Sequence, residues 1–180
     1  MNVKLWIILD ESAWDVLQTK GKLIQQEEYI DPDRKEGYDW MRIQMSKRIG
    51  APTHIDQYPL WAWHQASNAI NKRPDLRESG HLPKGTIGYR VEIEKKAKDV
   101  LLSDFELWHT PLYYRKYIAN SKEEAIAFEK EFGNVDFERL HESIKKKVEK
   151  SWEKVFDMDF DVAYFALPFE EKVIKQHFGN

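Results

Sequence analysis

A chain of 180 residues, 42% of them hydrophobic and 33% charged, has the make-up of an ordinary globular protein, and burying roughly 70% of its unfolded surface lets it form one compact domain without covalent staples. The sequence contains no cysteine, which excludes disulfides and thiolate metal sites and makes the cytoplasm the expected compartment. A net charge of -3 argues against a sequence-independent nucleic-acid binder, which depends on excess Lys and Arg, and a mean hydropathy of -0.69 leaves no run fit to span a bilayer.

The apolar run at the start, shorter than the ~7 to 15 residues of a secretory signal, reads as a buried strand over 3–9, ended by Asp10 and Glu11. A helix follows, with Ala13, Trp14 and Leu17 at helical spacing and Gly21 as its left-handed exit. Asp31 then Pro32 predicts a capped second helix over 32–48, its apolar face running through Tyr38, Met41, Ile43, Met45 and Ile49. The aromatic stretch 58–64 predicts a second buried strand, and the polar segment 65–88 a long functional loop.

Alternation of Arg90, Glu92 and Glu94 with Val91 and Ile93 predicts a half-buried strand over 89–94, followed by a short one over 99–102. Ser103 with Glu106, and Ser121 with Glu124, match capping boxes, the second opening a helix that Gly133 closes. Phe137, Leu140, Ile144, Val148, Trp152 and Phe156 fall three or four apart, predicting one long amphipathic helix. A last strand is expected over 161–167, stopped by Pro168. The expected fold is therefore α+β, with a mostly antiparallel central sheet and helices packed on it.

Chemistry-bearing side chains concentrate between Tyr58 and Thr110. Each of His64 and His109 follows a tryptophan, Trp63 and Trp108, and an imidazole beside a ligand donates, accepts or shuttles a proton near neutral pH. The bland reading of the same pairs is aromatic core packing. Arg73 and Arg77 flank Pro74, Asp75 and Leu76, so their two guanidinium forks suit a phosphate or carboxylate, or else tie the loop down through Asp75. Asp104 sits where a helix N-terminus favours a carboxylate, while Glu92 and Glu94, beside Lys95 and Lys96, read as solvated. The histidines lack the spacing of a helical zinc site, so no metal is expected. No glycine-rich phosphate loop or nucleophile elbow occurs.

The motifs Leu5-Trp6-Ile7, Ala13-Trp14 with Gly21, Tyr38-Asp39-Trp40-Met41, Pro59-Leu60-Trp61-Ala62-Trp63, Arg73-Pro74-Asp75-Leu76-Arg77 and the run Leu101 to His109 resemble a small bacterial family catalogued as a domain of unknown function. More distantly, the opening strand, the helix Ser12 to Gly21 and the mid-chain aromatic stretch resemble the ADP-ribosyltransferase-like fold. That resemblance implies NAD as the ligand. Trp6 would contact it from the first strand, Trp63 and Trp108 would stack on it, and Arg73 and Arg77 would hold its phosphates. His64 or His109 would orient a ribose hydroxyl. Where the resemblance expects a catalytic Glu or Gln on the last strand, the sequence offers Asp161 followed by Val162.

Two function classes follow. The first is an enzyme or binding domain with a nucleotide pocket, its candidate residues being His64, His109 and Asp161 for chemistry and Trp6, Trp63, Arg73, Arg77, Asp104 and Trp108 for the ligand. The second is a non-catalytic interaction module, phage- or defence-associated, that presents Trp61, Trp63 and Tyr113 to a protein partner. Stacking on single-stranded nucleic acid, which would need Arg73, Arg77, Arg90 and Lys72 to form a continuous groove, is disfavoured by the acidic total.

Overall fold

The computed structural model describes residues 1–66, 73–78, 80–133 and 135–160. The chain divides into two compact units, Met1–Leu102 and Ser103–Asn180. Among the described residues no helix is long and apolar enough to cross a membrane.

In the first unit, strand β1 (Asn2–Asp10) runs straight into helix α1 (Glu11–Lys20). The turn between them is fixed by Asp10, whose carboxylate accepts from the Ala13 amide at 2.8 Å. Gly21, at φ 67°, closes α1 as the sequence predicts. Asp31 caps the next segment by accepting from the Asp33 amide at 3.0 Å. Pro32–Arg34 forms a 3-10 turn that opens helix α2 (Lys35–Ile49). Strand β2 (Gly88–Lys96) pairs antiparallel with β1, placing Trp6 opposite Glu92 and Ile8 opposite Arg90.

Strand alternation gives this sheet, two-stranded among the described residues, two chemically different faces. Leu5, Ile7 and Leu9 point to the core face with Tyr89, Val91 and Ile93. There Trp14 of α1 stacks on Tyr89, the ring centroids 4.7 Å apart and the planes within 8°. The opposite face carries Lys4, Trp6 and Ile8 with Glu94, Glu92 and Arg90.

The sheet is smaller than the sequence predicts, although the α+β, antiparallel class holds. The expected strand 58–64 reduces to single bridges at its two ends. Tyr58 donates its amide to the Gln25 carbonyl at 2.8 Å, while Trp63 and Trp6 exchange both backbone hydrogen bonds, at 2.8 and 2.9 Å. Pro59 lies between them without an amide to donate, so the stretch cannot continue one ladder from end to end. The expected strand 99–102 is also absent. Ala97–Asp99 forms a 3-10 turn and the following residues pair with no strand. The strand expected over 161–167, with Asp161, lies outside the described residues.

The second unit is helical among its described residues. Helix α3 (Phe105–His109) is capped by Asp104, which accepts from the Leu107 amide at 2.8 Å; the box expected from Ser103 and Glu106 is displaced by one residue. A carboxylate three residues ahead of that amide is as good a cap as a hydroxyl. The helix continues as a π-turn over Thr110–Tyr114 and ends at Arg115, held left-handed at φ 49°. Helix α4 (Lys122–Phe132) starts at the predicted Ser121 cap, but Glu124 returns its carboxylate to the Asn120 amide, at 2.7 Å.

The single long helix predicted from 137 to 156 is broken. A 3-10 turn (Phe137–Arg139), helix α5 (Glu142–Ser151) and a second 3-10 turn (Trp152–Phe156) share its length. Leu140 and His141 are extended, and His141 caps α5 through its ring nitrogen, which competes with helix continuation. Of the predicted apolar stripe, Val148 and Trp152 are buried, whereas Phe137, Leu140, Ile144 and Phe156 are half-buried, and Val155 rather than Phe156 is buried at the end of the segment.

Candidate ligand site on the first unit

The polar sheet face is built around a fixed carboxylate. Glu92 accepts from the Lys4 ammonium at 2.8 Å and from the Trp6 indole nitrogen at 3.2 Å. The Lys4 hydrogen bond, with smaller help from Trp6 and Arg73, holds the Glu92 carboxyl below its usual range, so it is ionised at neutral pH. Trp6 is buried although it lies on this face, and Trp63 closes the adjoining edge of β1. Trp63 meets His81 edge-on, with centroids 5.7 Å apart. Among the described residues, the buried Nε2 atom of His81 meets no hydrogen-bond partner, and Glu78 Oε2 at 3.8 Å is too far to supply one. His64 brings Nδ1 to 3.4 Å from the Lys4 carbonyl.

The segment 73–78 lies over the end of this face because Arg90 donates to the Pro74 carbonyl, at 2.5 Å. Asp75 binds the guanidinium of Arg77, its Nε at 2.9 and 3.0 Å, and this pairing drives the Asp75 carboxyl well below its ordinary range. The tie between Arg77 and Asp75 is thus formed, while the Arg77 side chain stays 90% exposed.

Among the described residues, no strand pairs with the edge of β1 beyond Trp6. Because Trp6 spends its amide and carbonyl on Trp63, strand alternation sends those of Ile8 to the same edge. There, among the described residues, no hydrogen bond reaches the Ile8 amide. They face a cleft of about 310 Å³ lined by the β1 end from Ile7 to Asp10, by Ala13, by Leu23, Ile24 and Gln25, and by Leu60, Trp61 and Leu82. Gly88 lets Leu82 pack close against the strand, since a Cβ on it would lie 2.6 Å from Leu82 Cδ1 and push that side-chain tip aside.

Leu60 and Trp61 are positioned from behind. The buried Tyr58 hydroxyl donates to Asp39 at 2.5 Å, and Lys35 donates to Asp39 at 2.6 Å and to Tyr58 at 3.2 Å. The Asp39 hydrogen bond raises the Lys35 pKa, and Tyr58 adds to the shift. This clip fastens the aromatic stretch to α2, where Tyr38 meets Trp61 edge-on. A wider recess of about 640 Å³ runs along α2 past Asp39, Arg42, Ile43, Ser46 and Lys47. One helix supplies its whole lining, and Asp39 and Arg42 are already engaged by Lys35, Tyr58 and the Ile55 carbonyl. The smaller cleft, with walls from four chain segments and open backbone groups, is the better-built site.

The candidate residues divide between the units. Trp6, Trp63, His64, Arg73 and Arg77 belong to the first, and Trp6, Trp63, His64 and Arg73 gather around the polar face. Asp104, Trp108 and His109 belong to the second. Asp104 serves the α3 cap, Trp108 is buried at 4% exposure, and His109 lies between the rings of Phe105 and Tyr113, its Nδ1 meeting no hydrogen-bond partner among the described residues. Among the described residues no group of three or more His, Asp or Glu side chains is placed to hold a metal ion.

A family model described as a domain of unknown function (DUF3841) matches residues 4–172. The chain belongs to that family. No curated protein and no solved structure matches it. The DUF3841 match takes in the open β1 edge and the Tyr58 clip as well as the tryptophan and arginine motifs. Of these, the Ile8 edge was beyond sequence reasoning, because any residue type supplies a backbone amide. The pairing of Lys4 and Trp6 with Glu92 did have a signal, since period two puts each on one face of its own strand.

Proposed function

We propose that the first unit binds NAD or a related nucleotide, as part of a bacterial cytoplasmic enzyme with an ADP-ribosyltransferase-like pocket. One observation carries this reading: the open amide and carbonyl of Ile8 at a cleft walled by Leu60, Trp61 and Leu82. A flat ring bearing a primary carboxamide completes that edge as the next rung of the ladder, while its faces meet apolar and indole surface. Trp6 and Trp63 close the neighbouring rung. Arg73 supplies positive charge for the pyrophosphate, Arg77 reaches it only with the guanidinium edge that its pair with Asp75 leaves exposed, and His64 stands near for a ribose hydroxyl. The reading requires no residue of the second unit and leaves Asp161 without an assigned part.

Two amide hydrogen bonds at about 1 kcal/mol each and a few kcal/mol from ring burial put a bare nicotinamide near millimolar affinity. NAD, with its added contacts, binds tighter. Calorimetric titration with NAD, ADP-ribose and nicotinamide tests the reading, and Trp61→Ala is expected to weaken NAD about tenfold with the melting curve nearly unchanged. Absence of heat with all three ligands removes it.

A separate observation favours a second reading, the protein-interaction module. Phe105, His109 and Tyr113 form a row along α3 and its π-turn, with Phe105 49% and Tyr113 46% exposed. Under that reading Tyr113→Ala abolishes capture of a partner protein and leaves nucleotide binding untouched.

A further inference from the structure

The carboxylate of Glu92 has capacity that its two partners leave unused. An ionised carboxylate offers about four acceptor positions. Among the described residues, Lys4 takes one on Oε1 and Trp6 takes one on Oε2, so each oxygen keeps a further lone pair. The two donors come from one strand and fix the group in place from one side. The side chains of Lys4 and Glu92 are both 51% exposed, so the remaining acceptor positions are open to solvent. A bare surface ion pair contributes at most about 1 kcal/mol and requires no buried indole to orient it. The Trp6 indole is committed to this carboxylate rather than to a backbone carbonyl.

Two parallel acceptors held rigidly match two neighbouring hydroxyls. The position also has neighbours of the right chemistry. Glu92 and Trp6 stand opposite one another in the sheet, and Ile8, whose backbone opens on the cleft, is two residues along β1 on the same face, about 7 Å away. Arg73 is close enough to act on the Glu92 carboxyl through its charge.

We infer that Glu92, oriented by Lys4 and Trp6, is the subsite for the vicinal hydroxyls of a ribosyl group. This deepens the nucleotide reading of the same site and rests on it for the ring in the cleft, but it makes its own demand, on the sugar. Glu92 acts here as a binding and positioning group, and no bond-breaking step is assigned to it.

The test pairs Glu92→Gln with two ligands, titrated against the full chain by calorimetry. ADP-ribose carries vicinal ribose hydroxyls without the carboxamide, and nicotinamide carries the carboxamide without the sugar. Glutamine keeps an acceptor for the Trp6 indole but presents an amide nitrogen on its other arm, so the paired acceptor is lost while the side chain's shape remains. ADP-ribose affinity is expected to fall about tenfold in the variant with nicotinamide affinity and melting temperature unchanged. Lys4→Met, which frees the carboxylate from its anchor, should lower ADP-ribose affinity in the same direction. Unchanged ADP-ribose binding in Glu92→Gln, or no ADP-ribose binding by the wild type, overturns the inference. Should nicotinamide fail to bind while ADP-ribose binds and depends on Glu92, the cleft reading falls and the sugar subsite stands.

Discussion

Asp10 does two things at once: it ends β1 by capping α1, and it forms part of the cleft wall. Its carboxylate accepts from the Ala13 amide and from the Ser12 hydroxyl, both at 2.8 Å, and the Ala13 bond leads in holding its carboxyl below the ordinary aspartate range. The folded form therefore releases this proton more readily than the unfolded chain. The stability Asp10 contributes is fully present above the unfolded value and is lost as pH falls through the lower, folded one. Asp10→Ala is expected to cost about 1 kcal/mol in urea unfolding at neutral pH, whereas Asp10→Asn, an equally good cap, costs a few tenths. The asparagine variant should also lack the acid-side fall that belongs to this residue. Equal losses from both variants would show that the charge, and not the cap, carries the effect.

Helix α5 is held to the rest of its unit by Ser151, a buried hydroxyl that accepts from the Ile118 amide at 2.8 Å and donates to the Val148 carbonyl at 2.6 Å. Trp152 adds a bond to the Lys116 carbonyl at 2.7 Å. Ser151→Ala keeps the volume nearly unchanged but strands the Ile118 amide, so denaturant unfolding should show a loss of about 1 to 3 kcal/mol. A loss within error of zero would mean that water reaches that amide. Elements of this kind were legible in the sequence wherever their signals are local. The Asp31-Pro32 start, the Gly21 and Gly133 exits and the Ser121 cap each depend on residues within one turn of the helix they bound. The strand over 58–64 failed because pairing is not local. Its aromatic composition suits a ladder, but Pro59 divides it between Gln25 and Trp6, and only the folded chain shows where each half goes. The site divides the same way. Trp6, Trp63 and Arg73 announced themselves by residue type, whereas Ile8 contributes a backbone edge that no side chain advertises.

Every group proposed to touch a nucleotide, from Lys4 to Glu92, lies in Met1–Leu102, and none lies in Ser103–Asn180. That confinement makes a prediction about the molecule as a whole. In the free protein the Ile8 amide meets no hydrogen-bond partner among the described residues, so it should exchange with solvent faster than the Leu5, Ile7 and Leu9 amides that face β2. A ligand that completes the edge converts Ile8 from an unprotected amide to a bonded one. At a hundred times its dissociation constant it also stabilises the state that binds it by about 2.7 kcal/mol, enough to slow exchange through opening of the site roughly a hundredfold. Amide exchange followed by NMR, with and without saturating NAD, is expected to show the largest slowing at Ile8, a smaller one at Trp6 and Trp63, and no change from local opening in α3 or α5. If Ile8 exchanges at the same rate in both samples while NAD binding is independently measurable, the ligand sits elsewhere and the edge of β1 has no part in holding it.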